Sequence, residues 1–517
     1  MEDNTEDIKE NNKQPGINPV LTVFILLWGA VLFWRCFILY KHVVNYVDDD
    51  QALMWYGTVL FAHGSFPQPA FFGQSYGSMF ESLLTVPLYL CGWPLHVAQP
   101  VVTTFMGIIA FLFASISCYR KNNKAAAFLC VLLLAMTGWQ WDVVTSLRCY
   151  FTGLPVTTIG CILINDPKMS RLKIYIGSFL SIIGVIWSAS AIAVLGIGFL
   201  WFVTDRERLK KSWGALIPGS ICGLLIWLYR IIFFKNHGDY ISFKMTSSIN
   251  LQTFLRNIKL FPQRIAENFA ISWAGLVIIP ALIIFSCIIC IKRKMWRRLA
   301  VIIISVSGSL AMLSSTQLNS FDEYAINYCQ LRMLLFMTFI GLLLIVLFSY
   351  DGHPHAEIDL KKAVILFTIA MISIIIKGGL FIRACADPDS ALYGQNSVNY
   401  MSIDELNRVG NTVTGIADEY RATVLTSLDL NLIYTYGFAA LYYDKPYEFY
   451  LPTCDRRAWV YYKLLNSDNE TLMLYGHDEN GDIIYSVEDT GGSSVIDYLD
   501  QNYGVRRVMA LIETQNR

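Results

Sequence analysis

Long apolar runs bounded by charged residues fill most of the chain as far as Ile382. A bilayer core about 30 Å thick requires about 20 apolar residues in a spanning helix. The pattern therefore predicts an α-helical polytopic membrane protein with about eleven transmembrane helices. The predicted spans are Val20–Tyr40, Pro100–Cys118, Ala125–Trp141, Tyr150–Ile164, Ile174–Ser188, Ala191–Val203, Trp213–Phe234, Phe269–Ile291, Leu299–Leu313, Leu331–Phe348 and Ala363–Ile382.

The stretch 174–203 is short enough to form one long span instead of two. Basic clusters flank it on both sides: Lys168, Arg171 and Lys173 before it, and Arg206, Arg208, Lys210 and Lys211 after it. Because Lys and Arg favour cytoplasmic connections, both flanks are predicted to lie inside. The chain must then cross the membrane twice within this stretch.

The Lys and Arg content of the other connections alternates in the same way. The basic connections hold Arg120, Lys121 and Lys124, the two clusters above, Lys292, Arg293, Lys294, Arg297 and Arg298, and Lys361 and Lys362. The remaining connections hold only Lys41, Arg148 and a few residues of the loop 235–268. The positive-inside rule thus predicts a cytoplasmic amino terminus and an extracytoplasmic segment after Ile382.

Composition agrees with a cell-membrane location and defines three regions. The chain is 55% hydrophobic with a mean hydropathy of +0.44, which is too apolar for an ordinary soluble protein. Basic and acidic residues balance at 40 each, so no net positive field argues for a nucleic-acid partner. We expect a flexible cytoplasmic segment 1–18 and a transmembrane domain 19–384 with an outer loop 41–99. Residues 385–517, with a strand-like stretch at Ala422–Leu425 and a helix-like one at Val495–Tyr503, predict a small extracytoplasmic α/β domain.

Three consecutive acids, Asp48, Asp49 and Asp50, open the outer loop just beyond the first span. Their carboxylates are expected at the membrane surface, within reach of a lipid phosphate. They equally suit the amino end of a helix, where Asp is a favoured cap and negative charge is stabilised. The segment Ala52–Phe61 mixes Trp and Tyr with apolar residues and few charges, which favours a helix lying in the membrane interface.

A second stretch, Phe71–Glu81, combines aromatic residues and glycines with one acid. It is too polar to span and too apolar for a free loop, so we expect a second interfacial helix. Gln74, Tyr76 and Glu81 offer hydrogen-bonding groups suited to sugar hydroxyls, although the glycines alone are also typical of turns.

The combination of these features resembles a known family. Asp49-Asp50, an interfacial helix, Phe66-Pro67, and the stretch 72–76 with Glu81 five residues on are similar to the first loop of bacterial GT-C glycosyltransferases. These are relatives of the protein O-mannosyltransferases and of the aminoarabinose transferase that acts on lipid A. The family pattern usually has Asp-Glu where this chain has Asp49-Asp50, and places the residue equivalent to Gly77 one position later. The span count, basic inner loops and outer carboxy-terminal domain add to the resemblance.

A second matching segment lies where the chain re-enters the membrane after residue 320. It holds Asp322, Glu323, Tyr328 and Arg332, and reads Arg332-Met-Leu-Leu-Phe where the family often has Arg-Tyr-Leu-Leu-Pro. An Arg at the mouth of a span is costly unless it is paired or faces a cavity, and its planar fork suits a phosphate. Snorkelling to the headgroups is the alternative. Arg230 and Lys377 have the same two interpretations, with more weight on snorkelling, and Arg264 lies on a basic stretch that suits either anionic lipid or a carrier phosphate.

The resemblance implies transfer of a sugar from a polyprenyl-phosphate donor to a glycan, lipid or protein acceptor on the outer membrane face. Phosphate leaves as a stable anion, so the main requirement is a base for the acceptor hydroxyl, and Asp49 is the prediction for it. Asp48 or Asp50 can share this role or, with Asp322 or Glu323, hold Mg²⁺ or Mn²⁺; metal dependence varies in the family. One carboxylate without a second nucleophile predicts a single, inverting displacement.

Two other classes of protein remain as alternatives. A membrane transporter or flippase for a lipid-linked glycan usually shows internal repeats and polar residues inside its spans, and the sequence gives evidence of neither. A non-catalytic protein of surface polysaccharide assembly would use the outer domain as a binding module and the acids only as helix caps.

Overall fold

The structure is a computed structural model of the chain. It describes residues 18–47, 49–62, 64, 66, 69–71, 75–147, 149–168, 170–236, 251–252, 255, 278–311, 335–351 and 357–386, together with seven strand segments after residue 400. The α-helices with described bounds are α1 Pro19–Lys41, α2 Asp49–Ala62, α3 Phe80–Leu90, α4 Leu95–Arg120, α5 Lys124–Ala135, α6 Trp139–Leu147, α7 Gly153–Ile164, α8 Arg171–Trp187, α9 Ala191–Thr204, α10 Arg206–Asn236, α11 Ile279–Lys292, α12 Trp296–Ala311, α13 Leu335–Tyr350 and α14 Leu360–Ala386.

Helices follow the apolar runs throughout the described part of the chain. Four of them, α1, α4, α10 and α14, are long and apolar enough to cross a membrane on their own. They leave large apolar side chains uncovered, such as Leu225 and Tyr229 on α10, which are 57% and 58% exposed. Side chains of this kind suit contact with lipid. The predicted count of eleven spans stays a prediction.

The predicted span Ala125–Trp141 is wrong as a single helix. α5 ends at Ala135, and α6 leaves from Trp139 at an angle of 85°. A broken helix exposes carbonyl groups that lipid cannot satisfy. Here α14 satisfies them: the Ser373 hydroxyl donates to the Ala135 carbonyl at 3.1 Å, and the Lys377 ammonium donates to the Thr137 carbonyl at 3.3 Å.

The closest helix packing lies between α7 and α8. A Cβ atom at Gly160 would lie 2.6 Å from the Gly177 carbonyl oxygen, closer than real Cβ atoms come. Small residues on both helices therefore allow their backbones to touch, as is common in membrane helix pairs. The helical structure breaks between α8 and α9, so the stretch 174–203 contains two helices, as predicted.

The helix predicted over Phe71–Glu81 is wrong for most of its length, because α3 begins only at Phe80. The preceding chain turns back on itself, and the Phe71 amide donates to the Tyr76 carbonyl at 3.2 Å. Gly77 has a φ of +76°, a backbone conformation that L side chains rarely adopt. The glycine signal therefore marked a turn.

A short strand after α1 pairs with a short strand in the segment after α14. β1 (Tyr46–Val47) pairs antiparallel with β2 (Met401–Ser402). Later strands are β3 Ala422–Thr423, β4 Ala440–Tyr443, β5 Tyr447–Tyr450, β6 Ala458–Leu464, β7 Glu470–His477 and β8 Ile483–Asp489. β4 and β5 pair with each other, while the rest form an antiparallel sheet in the order β3-β6-β7-β8. The helix-like stretch Val495–Tyr503 lies outside the described residues, so the α/β domain stays a prediction.

Candidate functional site

The acid-bearing helix α2 follows the carboxy-terminal end of α1. A 3-10 turn at Val43–Asn45 and the two residues of β1 connect the two helices, and α2 begins at Asp49. Asp49 and Asp50 thus occupy its first turn, where the helix dipole stabilises negative charge. This position fits the capping interpretation and is equally open to a catalytic one. Asp48 lies outside the described residues.

Glu81 lies at a buried polar junction of α2, α3 and α4. Its two carboxylate oxygens accept hydrogen bonds from Thr103 at 2.7 Å and from Thr152 at 2.6 Å. Close by, the Thr58 hydroxyl lies 3.1 Å from Oε1 of Gln99 and 3.2 Å from the Ser82 carbonyl. The junction therefore fixes α2 against the two helices that follow it.

This junction keeps spare hydrogen-bonding capacity. The Ser82 hydroxyl and the Gln99 side-chain amide nitrogen are buried and have no partner among the described residues. Buried polar groups normally find a partner, so such atoms suit a water molecule or a ligand hydroxyl. Polar chemistry at this position agrees with the prediction of Glu81 as a substrate-binding residue, which stays a prediction.

Burial changes the acidity of Glu81. α3 is too short to span a membrane, and Glu81 is completely buried within the surrounding helices. Removal from water raises the pKa of its carboxyl to about 7, while the hydrogen bonds from Thr152 and Thr103 act in the opposite direction. Its proton is therefore exchangeable near neutral pH.

Arg230 connects α10 with the turn before α3. Its guanidinium donates to the carbonyl oxygens of Ser75 and Ile186, the latter at 2.6 Å, and the residue is 8% exposed. Arg230 therefore does not snorkel, and it holds the turn that carries Tyr76. Binding of a phosphate by Arg230 would require an exchange of these partners, and this role stays a prediction.

A buried charge cluster lies between α1, α6 and α14. The Asp142 carboxylate lies 3.0 Å from Nη2 of Arg35 and accepts from the Lys377 ammonium at 2.7 Å. Trp34 donates its indole N–H to the same carboxylate at 2.6 Å, and Thr137 donates its hydroxyl at 2.9 Å. Arg35, Asp142 and Lys377 are 1%, 0% and 3% exposed. We call these three residues the buried triad.

The buried triad fixes both chain segments that lead to the acids. Arg35 is six positions before the end of α1, which continues into β1 and Asp49; Lys377 lies on α14, which continues towards β2. Since β1 and β2 pair with each other, the start of α2 is tied to the two helices that Asp142 holds together. Lys377 does not snorkel, and its ammonium is committed to this cluster.

The sequence contains a signal for the buried triad, and the expectation that the spans lack polar residues was wrong for Arg35 and Lys377. Arg35 and Lys377 interrupt two strongly apolar runs, and Asp142 directly follows a third. Opposite charges in different spans predict a pair, because a single charge in the membrane is expensive. Only the pairing partner could not be read from the sequence.

Several predicted site residues fall outside the described part of the chain: Asp48, Gln74, Arg264, Asp322, Glu323, Tyr328 and Arg332. Among the residues that are described, no group of three or more His, Cys, Asp or Glu could hold a metal ion. The predicted donors Asp49, Asp50 and Glu323 include one residue outside that range. The metal site therefore stays a prediction.

Comparisons with known proteins give two structural neighbours. No protein-family model and no curated protein matches the chain. The crystal structure of ArnT from Cupriavidus metallidurans in the apo state is similar over 80% of this chain and 74% of that one, at 13% identity and a TM-score of 0.43. The structure of ArnT from the same organism bound to undecaprenyl phosphate is similar over 79% and 73%, at 14% identity and the same TM-score.

The buried triad predicts an asymmetric effect of charge removal. Two cations and one anion give it a formal charge of +1, so Lys377→Met leaves a neutral pair, whereas Asp142→Asn leaves two buried cations. We expect Asp142→Asn to lower the free energy of unfolding by about 3–5 kcal/mol and Lys377→Met by clearly less. Adding Lys377→Met to Asp142→Asn should recover part of the loss. Thermal unfolding in detergent measures all three, and equal losses in the two single variants would contradict the charge assignment.

The raised pKa of Glu81 predicts a pH-dependent stability. Between pH 4.5, the ordinary value, and about 7, the unfolded chain loses the Glu81 proton before the folded chain does. Stability should therefore be greatest below the unfolded pKa and fall as the pH rises through 7, by on the order of 3 kcal/mol in total. Glu81→Gln should remove this part of the loss between pH 5 and 8.

Glu207→Gln is the matched control for this measurement, because its side chain is 76% exposed. The control variant should keep the full pH dependence of the original chain. The assignment fails if Glu81→Gln and Glu207→Gln lose the same stability between the two pH values.

Proposed function

We propose that the chain is an inverting membrane glycosyltransferase of the GT-C type. It moves a sugar from a polyprenyl-phosphate donor to a glycan, lipid or protein acceptor on the outer face of the membrane. One observation carries the proposal: the helix that opens with Asp49 and Asp50 follows the first span directly and packs around the polar junction at Glu81. In this arrangement the helix that begins with Asp49 and Asp50 contacts the helix that carries Glu81, through Thr58 and Ser82.

In the proposed reaction Asp49 accepts the proton of the acceptor hydroxyl as that oxygen attacks the anomeric carbon. The bond from this carbon to the donor phosphate breaks, and the phosphate leaves with the electron pair. No protein nucleophile takes part, so the configuration at the anomeric carbon inverts. Asp50 or Asp48 shares the base role or helps to hold a divalent cation at the phosphate.

The donor phosphate needs a cationic partner at the same face. Arg332 is proposed for this role because a guanidinium binds phosphate through two parallel hydrogen bonds. Arg264 and Arg230 are the other proposed cations. Gln74, Tyr76, Glu81, Asp322, Glu323 and Tyr328 are proposed to bind the sugar or the acceptor.

A transporter for a lipid-linked glycan is the second candidate. The buried triad favours it, since charged residues inside membrane spans often line the path of a transported substrate. In the described structure, however, these charges are satisfied by one another and by Trp34 and Thr137. A structural clamp accounts for them without a transport path.

Asp49→Asn tests the enzyme proposal while it keeps a polar side chain of the same size at the first position of α2. In a strain that lacks the gene, the original chain should restore the transferred sugar in the cell envelope. Asp49→Asn should lower the rate of transfer by about 10²–10⁴-fold through loss of the base. Sugar analysis of envelope lipids and polysaccharides measures the product, and thermal unfolding in detergent verifies folding.

Asp359→Asn is the matched control, since Asp359 also precedes a helix and accepts from the Lys362 amide at 2.7 Å. This variant should restore transfer fully. A transporter or a binding protein would tolerate both substitutions. Full restoration of the envelope sugar by Asp49→Asn would therefore overturn the enzyme proposal.

A further inference from the structure

A cavity of about 340 Å³ lies where α9 and α10 meet the ends of α12 and α13. This volume falls in the range of small-molecule sites. The aromatic side chains of Trp201, Phe202 and Tyr350 line it together with the cationic groups of Arg208 and Lys211. Aromatic rings beside cations are typical of the headgroup level of a membrane.

The acids that line the cavity have other partners. Asp351 pairs with Arg298, a third cation that lines the cavity and whose guanidinium also lies over the Trp201 ring. Glu207 lies 3.7 Å from the ammonium of Lys210, which does not line the cavity. Asp205 caps α10 by accepting from the Arg208 amide at 3.1 Å. The carboxylates of Asp351, Glu207 and Asp205 thus have partners other than the side-chain charges of Arg208 and Lys211.

Arg208 and Lys211 have no direct ion pair in the part of the chain that the structure describes, although the carboxylates of Asp205 and Asp166 are near enough to Arg208 to interact with its charge. Within the described residues, no carboxylate lies within ion-pair distance of either side chain. The Arg208 guanidinium donates from Nη2 to the carbonyls of Ile164 and Asp166, but its buried Nε has no acceptor there. A buried donor without an acceptor is costly, and an anion would remove that cost.

The cavity is remote from the proposed catalytic region. Lys211 and Arg230 are 19 positions apart on α10 (230 − 211), which corresponds to about 28 Å along the helix. Arg230 contacts the turn before α3, whereas the cavity lies among the basic clusters at the other end. A ligand here would therefore occupy a second site on the opposite face.

We propose that this cavity binds a phosphate monoester, with Arg208 and Lys211 as its cationic partners. The phosphate belongs either to the headgroup of an anionic lipid or to a soluble metabolite. Both sources share the chemistry that the cavity recognises: a compact, strongly charged oxyanion, beside aromatic walls suited to the adjoining glycerol or sugar carbons. Binding here is independent of the proposed sugar transfer at Asp49.

Thermal-shift titrations of the purified full chain in detergent test this site. Dioctanoyl phosphatidic acid should stabilise the protein saturably, whereas dioctanoylglycerol, which lacks only the phosphate, should not. Lys211→Ala should weaken the apparent affinity for the phosphatidic acid by roughly tenfold, the effect of one lost charged contact. Lys211→Arg should keep it.

Lys210→Ala is the matched control, because Lys210 is the neighbouring exposed lysine and pairs with Glu207. It should bind phosphatidic acid like the original chain. Equal weakening in the two alanine variants, or no weakening in either, would overturn the proposed site, as would equal stabilisation by dioctanoylglycerol. Competition by inorganic phosphate would support the site and indicate a soluble ligand; binding of the lipid without such competition would support it and indicate a headgroup.

Discussion

Asp142 holds two cations from distant parts of the chain at a depth where water cannot solvate them. Arg35 brings the first span to it, and Lys377 brings the last helix that the structure describes. Neither cation could stay charged there without the carboxylate, and the carboxylate accepts further hydrogen bonds from Trp34 and Thr137. Because β1 follows α1 and pairs with β2, which follows α14 in the chain, this ion cluster and the strand pair together link the segment before α2 to both helices.

The break between α5 and α6 is part of the same arrangement. Asp142 lies on the helix that follows the break. Ser373 and Lys377 of α14 donate hydrogen bonds to the backbone carbonyl groups that the break leaves without helical partners. The Glu81 junction fixes α2 to α3 and α4, and Arg230 holds the turn that precedes α3. A catalytic carboxylate at Asp49 would thus belong to a helix that is held by its neighbours. General base catalysis requires such a fixed position.

The helices were largely predictable, since apolar length and charged boundaries determine them. The stretch 174–203 holds the two helices α8 and α9, as predicted, while its two membrane crossings stay a prediction. Local pattern failed where a distant partner decides. Ala125–Trp141 reads as one apolar run, but the helix breaks within it, and Asp142 on the second half pairs with Arg35 and Lys377. Phe71–Glu81 looks amphipathic, but Gly77 requires a turn. Of the predicted site residues, the acids of α2 and Glu81 lie on described helices and their roles stay predictions. The sequence did not reveal which residues form the buried triad, because no spacing rule links residues 35, 142 and 377.

The proposed sugar transfer requires Asp49 and Asp50 to face the outside while the basic ends of the helices face the cytoplasm. Single cysteines at the exposed positions Asn45 and Lys210, in a chain whose native cysteines are replaced, can be labelled in intact cells with a membrane-impermeant maleimide. This orientation predicts labelling at position 45 in intact cells and at position 210 only after permeabilisation. Labelling of position 210 in intact cells, with position 45 protected, would contradict it.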